Sequence, residues 1–262
     1  MLGSGYQALV RRETRPASAY RGPSPFLVFA AVFTGANVTA VLLRATGLLE
    51  GLSEAGVVLA SVAIIGAFYA ASVWLLVVRE GALSWEAMGW PAFRSRAPRV
   101  VADFAYGAGL AVPTVLLTLV AAALLSAAVG VTEPSLLPVP ATPADWIVDI
   151  LVAVVLAPLG EELFFRGFAQ SAWTLDIGWR RALLRTALFF AAVHALNISG
   201  TDFSEGARLA LVVALARIPV ALGLGWVFER TRSIAAPLGL HAAFNGVTLV
   251  LFALLQSGAS PG

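Results

Sequence analysis

The stretch FAYGAGLAVPTVLLTLVAAALLSAAV, residues 104–129, contains no charged side chain. As an α-helix it measures about 39 Å, which exceeds the roughly 30 Å thickness of a bilayer's hydrocarbon core. Six further apolar runs occur at about residues 26–43, 56–78, 146–168, 182–198, 207–228 and 233–256. The sequence therefore predicts an all-α, polytopic bundle of about seven, at most eight, transmembrane helices.

The overall composition agrees with a membrane as the main solvent. Hydrophobic residues make up 59% of the 262 residues and charged residues 12%, whereas a soluble domain carries about 25% charge. The chain has no cysteine, which excludes disulfides, thiolate zinc ligands and cysteine nucleophiles. All seventeen basic residues are arginine, and their positions near the ends of the apolar runs favour a membrane orientation signal over nucleic-acid binding.

The arginines cluster on alternate segments between the apolar runs. Fourteen of the seventeen lie before the first run, between the second and third, near the end of the fourth or the start of the fifth, or after the sixth. They are Arg11, Arg12, Arg15, Arg21, Arg79, Arg94, Arg96, Arg99, Arg166, Arg180, Arg181, Arg185, Arg230 and Arg232. Because arginine-rich loops stay in the cytoplasm, the pattern predicts a multi-pass protein of the cell membrane with a cytoplasmic N-terminus.

Three segments follow from this organisation. Residues 1–25 form a basic cytoplasmic tail, residues 26–103 an N-terminal transmembrane region with an interfacial loop, and residues 104–256 a second membrane domain. The stretch VTEPSLLPVPATPADW, residues 131–146, is rich in proline and is expected to be an irregular, exposed external loop.

The loop ALSWEAMGWPAFRSR, residues 82–96, places Trp85, Met88 and Trp90 among charged residues. This pattern is typical of a short helix lying in the membrane interface. An ordinary loop in the aromatic belt fits the same residues.

Charged side chains within one apolar run form the first candidate site. An ionised group inside a span costs about 2.5–3.5 kcal/mol on insertion scales, so it calls for an explanation. In VVLAPLGEELFFRGF, residues 154–168, Glu162 and Arg166 are four apart and predict an ion pair on one helix face, which can also serve only to orient helices. Glu161 is rotated by about 100° from Glu162 and is the candidate general base. Pro158 is expected to loosen the helix there.

The only two histidines also fall inside apolar runs, His194 in LFFAAVHALN and His241 in APLGLHAAFNGV. His194 follows Arg185 by nine residues and His241 follows Arg232 by nine, which corresponds to about 13 Å of helix in both cases. We therefore expect Glu161 and both histidines to meet in one layer of the cytoplasmic half of the bilayer.

Two more residues stand one helical turn from the histidines. Asn245 follows His241 by four residues, so both can donate hydrogen bonds to a single point, as an oxyanion site requires. Phe190 precedes His194 by four residues, and its side chain is expected to pack against the imidazole ring of His194. Taken alone, Asn245 also fits an ordinary hydrogen bond between helices.

The ordered motifs EExxxR, FxxxH and HxxxN resemble those of the CPBP family, which comprises type 2 CAAX prenyl proteases and bacteriocin-processing enzymes. The resemblance covers about residues 104–250. It implies that residues 104–256 form the catalytic domain of an intramembrane endopeptidase whose cavity opens toward the cytoplasm. It also implies that Glu162 and Arg166 brace the site.

The resemblance further implies that Glu161 and His194 activate the attacking water and that His241 and Asn245 stabilise the oxyanion. The cofactor stays open, because Glu161, His194 and His241 can hold Zn²⁺ with a free position for water or can act without a metal. The implied partners are the lipid bilayer and a membrane-associated or C-terminal peptide, such as a prenylated CAAX sequence or a bacteriocin or leader peptide, and no nucleic acid.

Two other classes of protein fit the same polar residues. One is a non-proteolytic immunity or scaffold protein that uses the cluster for helix packing or partner binding. The other is a proton or ion transporter, because glutamate and histidine within spans also form proton relays. The transporter is disfavoured because the polar groups are concentrated in the half of the bilayer that we predict to be cytoplasmic.

Overall fold

The computed structural model describes residues 19–90, 97–132, 139–140, 142–196 and 198–258. These residues form helices and no strand, which confirms the all-α prediction. We number seven helices in chain order: α1 Pro25–Ala45, α2 Glu54–Val78, α3 Ala97–Val129, α4 residues 143–177, α5 Trp179–His194, α6 Phe203–Thr231 and α7 Ala235–Gly258. Each coincides with one of the seven apolar runs.

Five of these helices, α1, α2, α3, α6 and α7, are long and apolar enough to cross a membrane. Helix α5 has 16 residues and measures about 24 Å, and it lies three to four residues earlier in the chain than the predicted run 182–198. The protein is therefore an integral membrane protein by its helices, while the count of seven spans and the cytoplasmic N-terminus stay predictions.

Helix α4 begins earlier than expected because its first turn is capped. The backbone N–H of Asp145 donates to Thr142 Oγ1 at 3.2 Å, and the backbone N–H of Thr142 donates to Asp145 Oδ2 at 2.9 Å. This capping box satisfies helix-terminal N–H groups reciprocally. The predicted external loop over residues 131–146 therefore ends at Thr142.

Two π-helical stretches, Leu151–Leu156 and Leu163–Gln170, flank the α-helical turn Ala157–Glu162 of α4. That turn contains Pro158, which has no N–H to donate and whose ring crowds the carbonyl four residues before it. Wider turns are a common way for a helix to absorb such a defect. The helix thus continues through the proline and places the glutamates between the two π-helical stretches.

The positions of several arginines differ from the prediction. The arginine pattern predicts Arg166 at a cytoplasmic segment, but it is fully buried within α4. The structure extends α4 nine residues beyond the predicted end at residue 168, to Ile177. Arg180, Arg181 and Arg185 lie in α5 instead of a loop. Fewer arginines therefore lie in loops than the sequence predicts.

The loop after α2 forms turns over residues 85–89 instead of an interfacial helix. Met88 is fully buried in the main hydrophobic core, and Gly89 accepts a hydrogen bond through its carbonyl from the backbone N–H of Ile234 at 2.9 Å. The described part of this loop is therefore packed against the start of α7. Parts of three predicted segments lie outside the described residues. They are residues 1–18 of the basic tail, residues 91–96 of the interfacial loop and residues 133–138 of the external loop.

Two close helix crossings position the functional residues. A methyl group added to Gly107 of α3 would collide with the carbonyl oxygen of Ala236, and one added to Gly239 of α7 would collide with that of Phe104. A methyl group on Gly160 of α4 would lie 3.3 Å from the Cα of Gly66 on α2. Small residues allow this approach in membrane helices. The backbone of α7 therefore rests on α3, and α4 rests on α2 beside its glutamates.

Candidate active site

A carboxylate and two imidazoles from three helices meet in the interior of the bundle. Glu161 Oε2 of α4 lies 3.8 Å from His241 Nε2 of α7 and 4.0 Å from His194 Nε2 at the end of α5. The side chains of Glu161, His194 and His241 are 24%, 19% and 7% exposed. The structure thus brings together the three residues that the sequence singled out, and it leaves part of the group accessible.

Phe190 contacts the ring of His194 through both its backbone carbonyl and its side chain. The Nδ1–H group of His194 donates to the backbone carbonyl of Phe190 at 2.8 Å, and the two ring centroids are 4.4 Å apart. When Nδ1 carries the proton of a neutral imidazole, Nε2 presents a lone pair. His194 therefore directs a hydrogen-bond acceptor toward Glu161.

Glu162 joins α4 to α7 through one oxygen. Its Oε1 accepts from Arg166 Nη1 at 2.9 Å and from His241 Nδ1 at 2.7 Å, and the side chains of Glu162 and Arg166 are both 0% exposed. The Arg166 guanidinium also lies 4.5 Å from the centroid of the Phe190 ring. The sequence predicted the pair with Arg166 but not the bond to His241, which turns Nε2 of that ring toward Glu161.

Asn245 of α7 bonds to α4 through its side-chain amide. Its Nδ2 donates to the backbone carbonyl of Ala153 on α4 at 2.7 Å, while His241 Nδ1 is bound to Glu162. The side-chain amide and the imidazole therefore do not share a partner. One amide hydrogen of Asn245 is committed to Ala153, so the predicted oxyanion role rests on the other amide hydrogen.

Sequence reasoning overlooked two residues whose charge or dipole acts on the site. Arg217 of α6 interacts electrostatically with Glu161 and His194, and Tyr69 of α2 interacts with Glu161. Arg217 lies in the middle of the sixth apolar run, so the rule that flagged Glu161 could have found it. Tyr69, stacked on Phe164 at 4.6 Å, gives no signal in the sequence because tyrosine is common in such runs.

A further overlooked carboxylate, Asp149, lies in α4 and is 1% exposed. It precedes Glu161 by twelve residues, or about 18 Å along a helix. Asp149 is therefore remote from the candidate active site.

Glutamate and histidine are also common zinc ligands. Adjacent ligand atoms of a tetrahedral zinc site with bonds of 2.0–2.1 Å are about 3.3 Å apart, and the 3.8 and 4.0 Å separations at Glu161 Oε2 are larger. Within the described part of the chain, no group of three or more histidine, cysteine, aspartate or glutamate residues is arranged to hold a metal ion. The donor types suit zinc, but their spacing does not form a ready site.

Residues 143–247, about two fifths of the chain, match the family model described as type II CAAX prenyl endopeptidase Rce1-like. The matched segment begins with the first residue of α4 and contains the EExxxR, FxxxH and HxxxN motifs. No curated protein and no solved structure is significantly similar to the chain. This match supports the resemblance of the segment to the CPBP family.

Proposed function

We propose that this protein is an intramembrane endopeptidase in which Glu161 and His194 activate a water molecule. One observation carries the proposal. Glu161 Oε2 is buried and accepts no hydrogen bond from any described residue, yet it faces the Nε2 atoms of His194 and His241. A carboxylate oxygen held between two imidazoles is suited to take and return a proton.

The separation of Glu161 Oε2 and His194 Nε2 suits a shared water molecule. Two acceptors that each receive a linear hydrogen bond of about 2.8 Å from one water are about 4.4 Å apart, and the observed 4.0 Å corresponds to slightly bent hydrogen bonds. Such a water donates one proton to each acceptor and keeps its lone pairs free to attack a peptide carbonyl. Glu161 then takes the proton as the C–O bond forms and returns it to the leaving amine as the C–N bond breaks.

The oxyanion formed by that attack needs hydrogen-bond donors, and we assign this role to His241 and Asn245. The Nδ1 of His241 is bound to Glu162, so its donation requires a proton on Nε2. Asn245 has a second amide hydrogen besides the one given to Ala153. Glu162 and Arg166 orient His241 from within the core.

The family description supports a peptide substrate that is attached to the membrane or presents its C-terminus to the site. A prenylated peptide ending in a CAAX sequence is our first candidate, and a bacteriocin or leader peptide is the second. From the arginine pattern we propose that the site faces the cytoplasmic side of the cell membrane. We propose a reaction without a metal, with Zn²⁺ bound by Glu161, His194 and His241 as the alternative.

The test compares the termini of membrane peptides in cells that express the wild type, Glu161→Gln or Glu54→Gln. Glutamine keeps the size of the side chain but cannot act as the base, whereas Glu54 is an exposed glutamate at the start of α2 and serves as the matched control. We expect new termini with the wild type and with Glu54→Gln only. Identical termini with Glu161→Gln would contradict the proposal and favour an immunity or scaffold role.

The metal alternative is tested on the purified protein. We expect it to hydrolyse the identified peptide without bound zinc and to keep its activity in the presence of a chelator. Stoichiometric zinc together with loss of hydrolysis on chelation would assign the three residues to a metal site instead.

A further inference from the structure

Five exposed arginines lie together at one end of the bundle, on the first two turns of α5 and the last turn of α6 with the residue after it. They are Arg180, Arg181, Arg185, Arg230 and Arg232. The end of α4 joins the two groups. The Arg185 guanidinium lies 4.6 Å from the ring centroid of Trp173, and Glu229, which pairs with Arg232, accepts a hydrogen bond from Thr174 at 3.3 Å. We call this surface the basic end.

The basic end carries more positive charge than nearby carboxylates balance. The last two turns of α4 and the last turn of α6 supply two carboxylates, Asp176 and Glu229, and the first two turns of α5 supply none. Glu229 is committed to Arg232 at 2.7 Å, and no described carboxylate forms an ion pair with an arginine of α5. Arg21 and the neighbouring loop over residues 79–90 add two arginines and two glutamates. Five arginines against two carboxylates therefore leave an excess of three positive charges.

Exposed indole rings lie beside two of these arginines. The Arg180 guanidinium is 5.3 Å from the ring centroid of Trp179, and that of Arg230 is 5.8 Å from the ring centroid of Trp226. The two tryptophans are 43% and 41% exposed. In membrane proteins, tryptophan and arginine concentrate at the level of the headgroups, where the ring meets the acyl chains and the cation meets water and phosphate. The pairs favour lipid headgroups over a soluble acidic partner as the ligand of the basic end.

The basic end also bears on the position of His194. Helix α5 measures about 24 Å and is shorter than the roughly 30 Å hydrocarbon core, so its length does not fix its depth in the membrane. Trp179 begins the helix, and His194 ends it about 22 Å further along the axis. An anchor at the start of α5 therefore determines how deep His194 lies.

We propose that the basic end binds the phosphate groups of anionic phospholipids and that this contact anchors the start of α5 at the headgroups. Guanidinium groups hold a phosphate through parallel, charge-assisted hydrogen bonds. Each arginine near an anionic membrane surface raises the affinity about fivefold. The inference concerns the lipid partner of the protein and does not depend on the proposed protease function.

The test titrates the purified protein in neutral detergent with phosphatidylglycerol or phosphatidylcholine and measures bound lipid by native mass spectrometry. We expect the wild type to prefer phosphatidylglycerol, and the double variant Arg180→Gln with Arg181→Gln to bind this lipid about 30-fold more weakly. Arg180→Lys with Arg181→Lys keeps both charges and should retain most of the affinity. The matched control, Arg44→Gln with Arg208→Gln, removes two exposed arginines near the opposite ends of α1 and α6 and should bind as the wild type does.

Thermal unfolding gives a second readout, because a ligand that binds only the folded state stabilises it. Phosphatidylglycerol should raise the Tm of the wild type and of the control but not that of the double glutamine variant. Inorganic phosphate at the same concentration should leave the Tm unchanged.

Three outcomes would overturn the inference. The first is equal binding of the two lipids by the wild type, a result that needs no variant to fold. The second is unchanged binding of phosphatidylglycerol by the double glutamine variant. The third is equal stabilisation of the wild type by inorganic phosphate, which would assign the arginines to a free anion instead of a lipid.

Discussion

Replacing Arg166 with methionine should destabilise the protein by about 3 kcal/mol. The Arg166–Glu162 contact is 2.9 Å long and both side chains are 0% exposed, so the charges attract by about 6 kcal/mol at an effective dielectric constant of 20. Removing one partner of a buried pair typically costs 3–5 kcal/mol, because the other charge is left in the interior. The lower end of this range applies here, since Glu162 keeps its 2.7 Å bond to His241.

The free energy of unfolding can be measured by titrating the purified protein from mild detergent into SDS. The control is Arg232→Met, which removes a 2.7 Å ion pair whose arginine is 59% exposed and should cost less than about 1 kcal/mol. The double variant Glu162→Leu with Arg166→Met should recover part of the lost stability, because no buried charge is left without its partner. If Arg166→Met and Arg232→Met cost the same, burial does not set the strength of the pair and the reasoning fails.

The remaining predictions concern helix packing and the oxyanion. Gly107→Ala should lower the free energy of unfolding by about 2–3 kcal/mol, because the added methyl group collides with α7. The control Gly109→Ala, whose added methyl group meets nothing within 4 Å, should be neutral or slightly stabilising. Equal effects of the two substitutions would contradict the close crossing. Asn245→Ala should lower kcat by about 10²- to 10³-fold with little change in KM if the residue stabilises the oxyanion. Loss of about 1 kcal/mol of stability with unchanged kcat would instead reduce its role to the bond with Ala153.

The sequence predicted the features of this fold that depend on composition along one helix. Apolar runs locate the seven helices of the described residues, and the rarity of polar residues in them makes Glu161, His194 and His241 conspicuous. The ends of helices were less predictable. Helix α4 continues to Ile177, nine residues beyond the predicted end. The prediction stopped early because hydropathy reports the hydrocarbon region and not the length of a helix that extends past it.

The partners of the polar side chains could not be predicted because they depend on how helices are rotated against one another. Glu162 has its i,i+4 arginine within the same helix, which sequence spacing reveals. Its second partner, His241, comes from 79 residues further along the chain, and Asn245 bonds to Ala153 across 92 residues. Arg217 is different, because its position inside an apolar run was visible in the sequence.

The crossing of α3 and α7 has a consequence for any attempt to reduce this protein to its catalytic part. The family match begins at residue 143, after α3 has ended, yet the backbone of the helix that carries His241 lies directly against α3 at Gly107 and Gly239. A fragment trimmed to the matched segment would lack the surface that sets the depth and rotation of that helix. The smallest transplantable unit therefore starts no later than Ala97, and sequence similarity alone would place the cut too late.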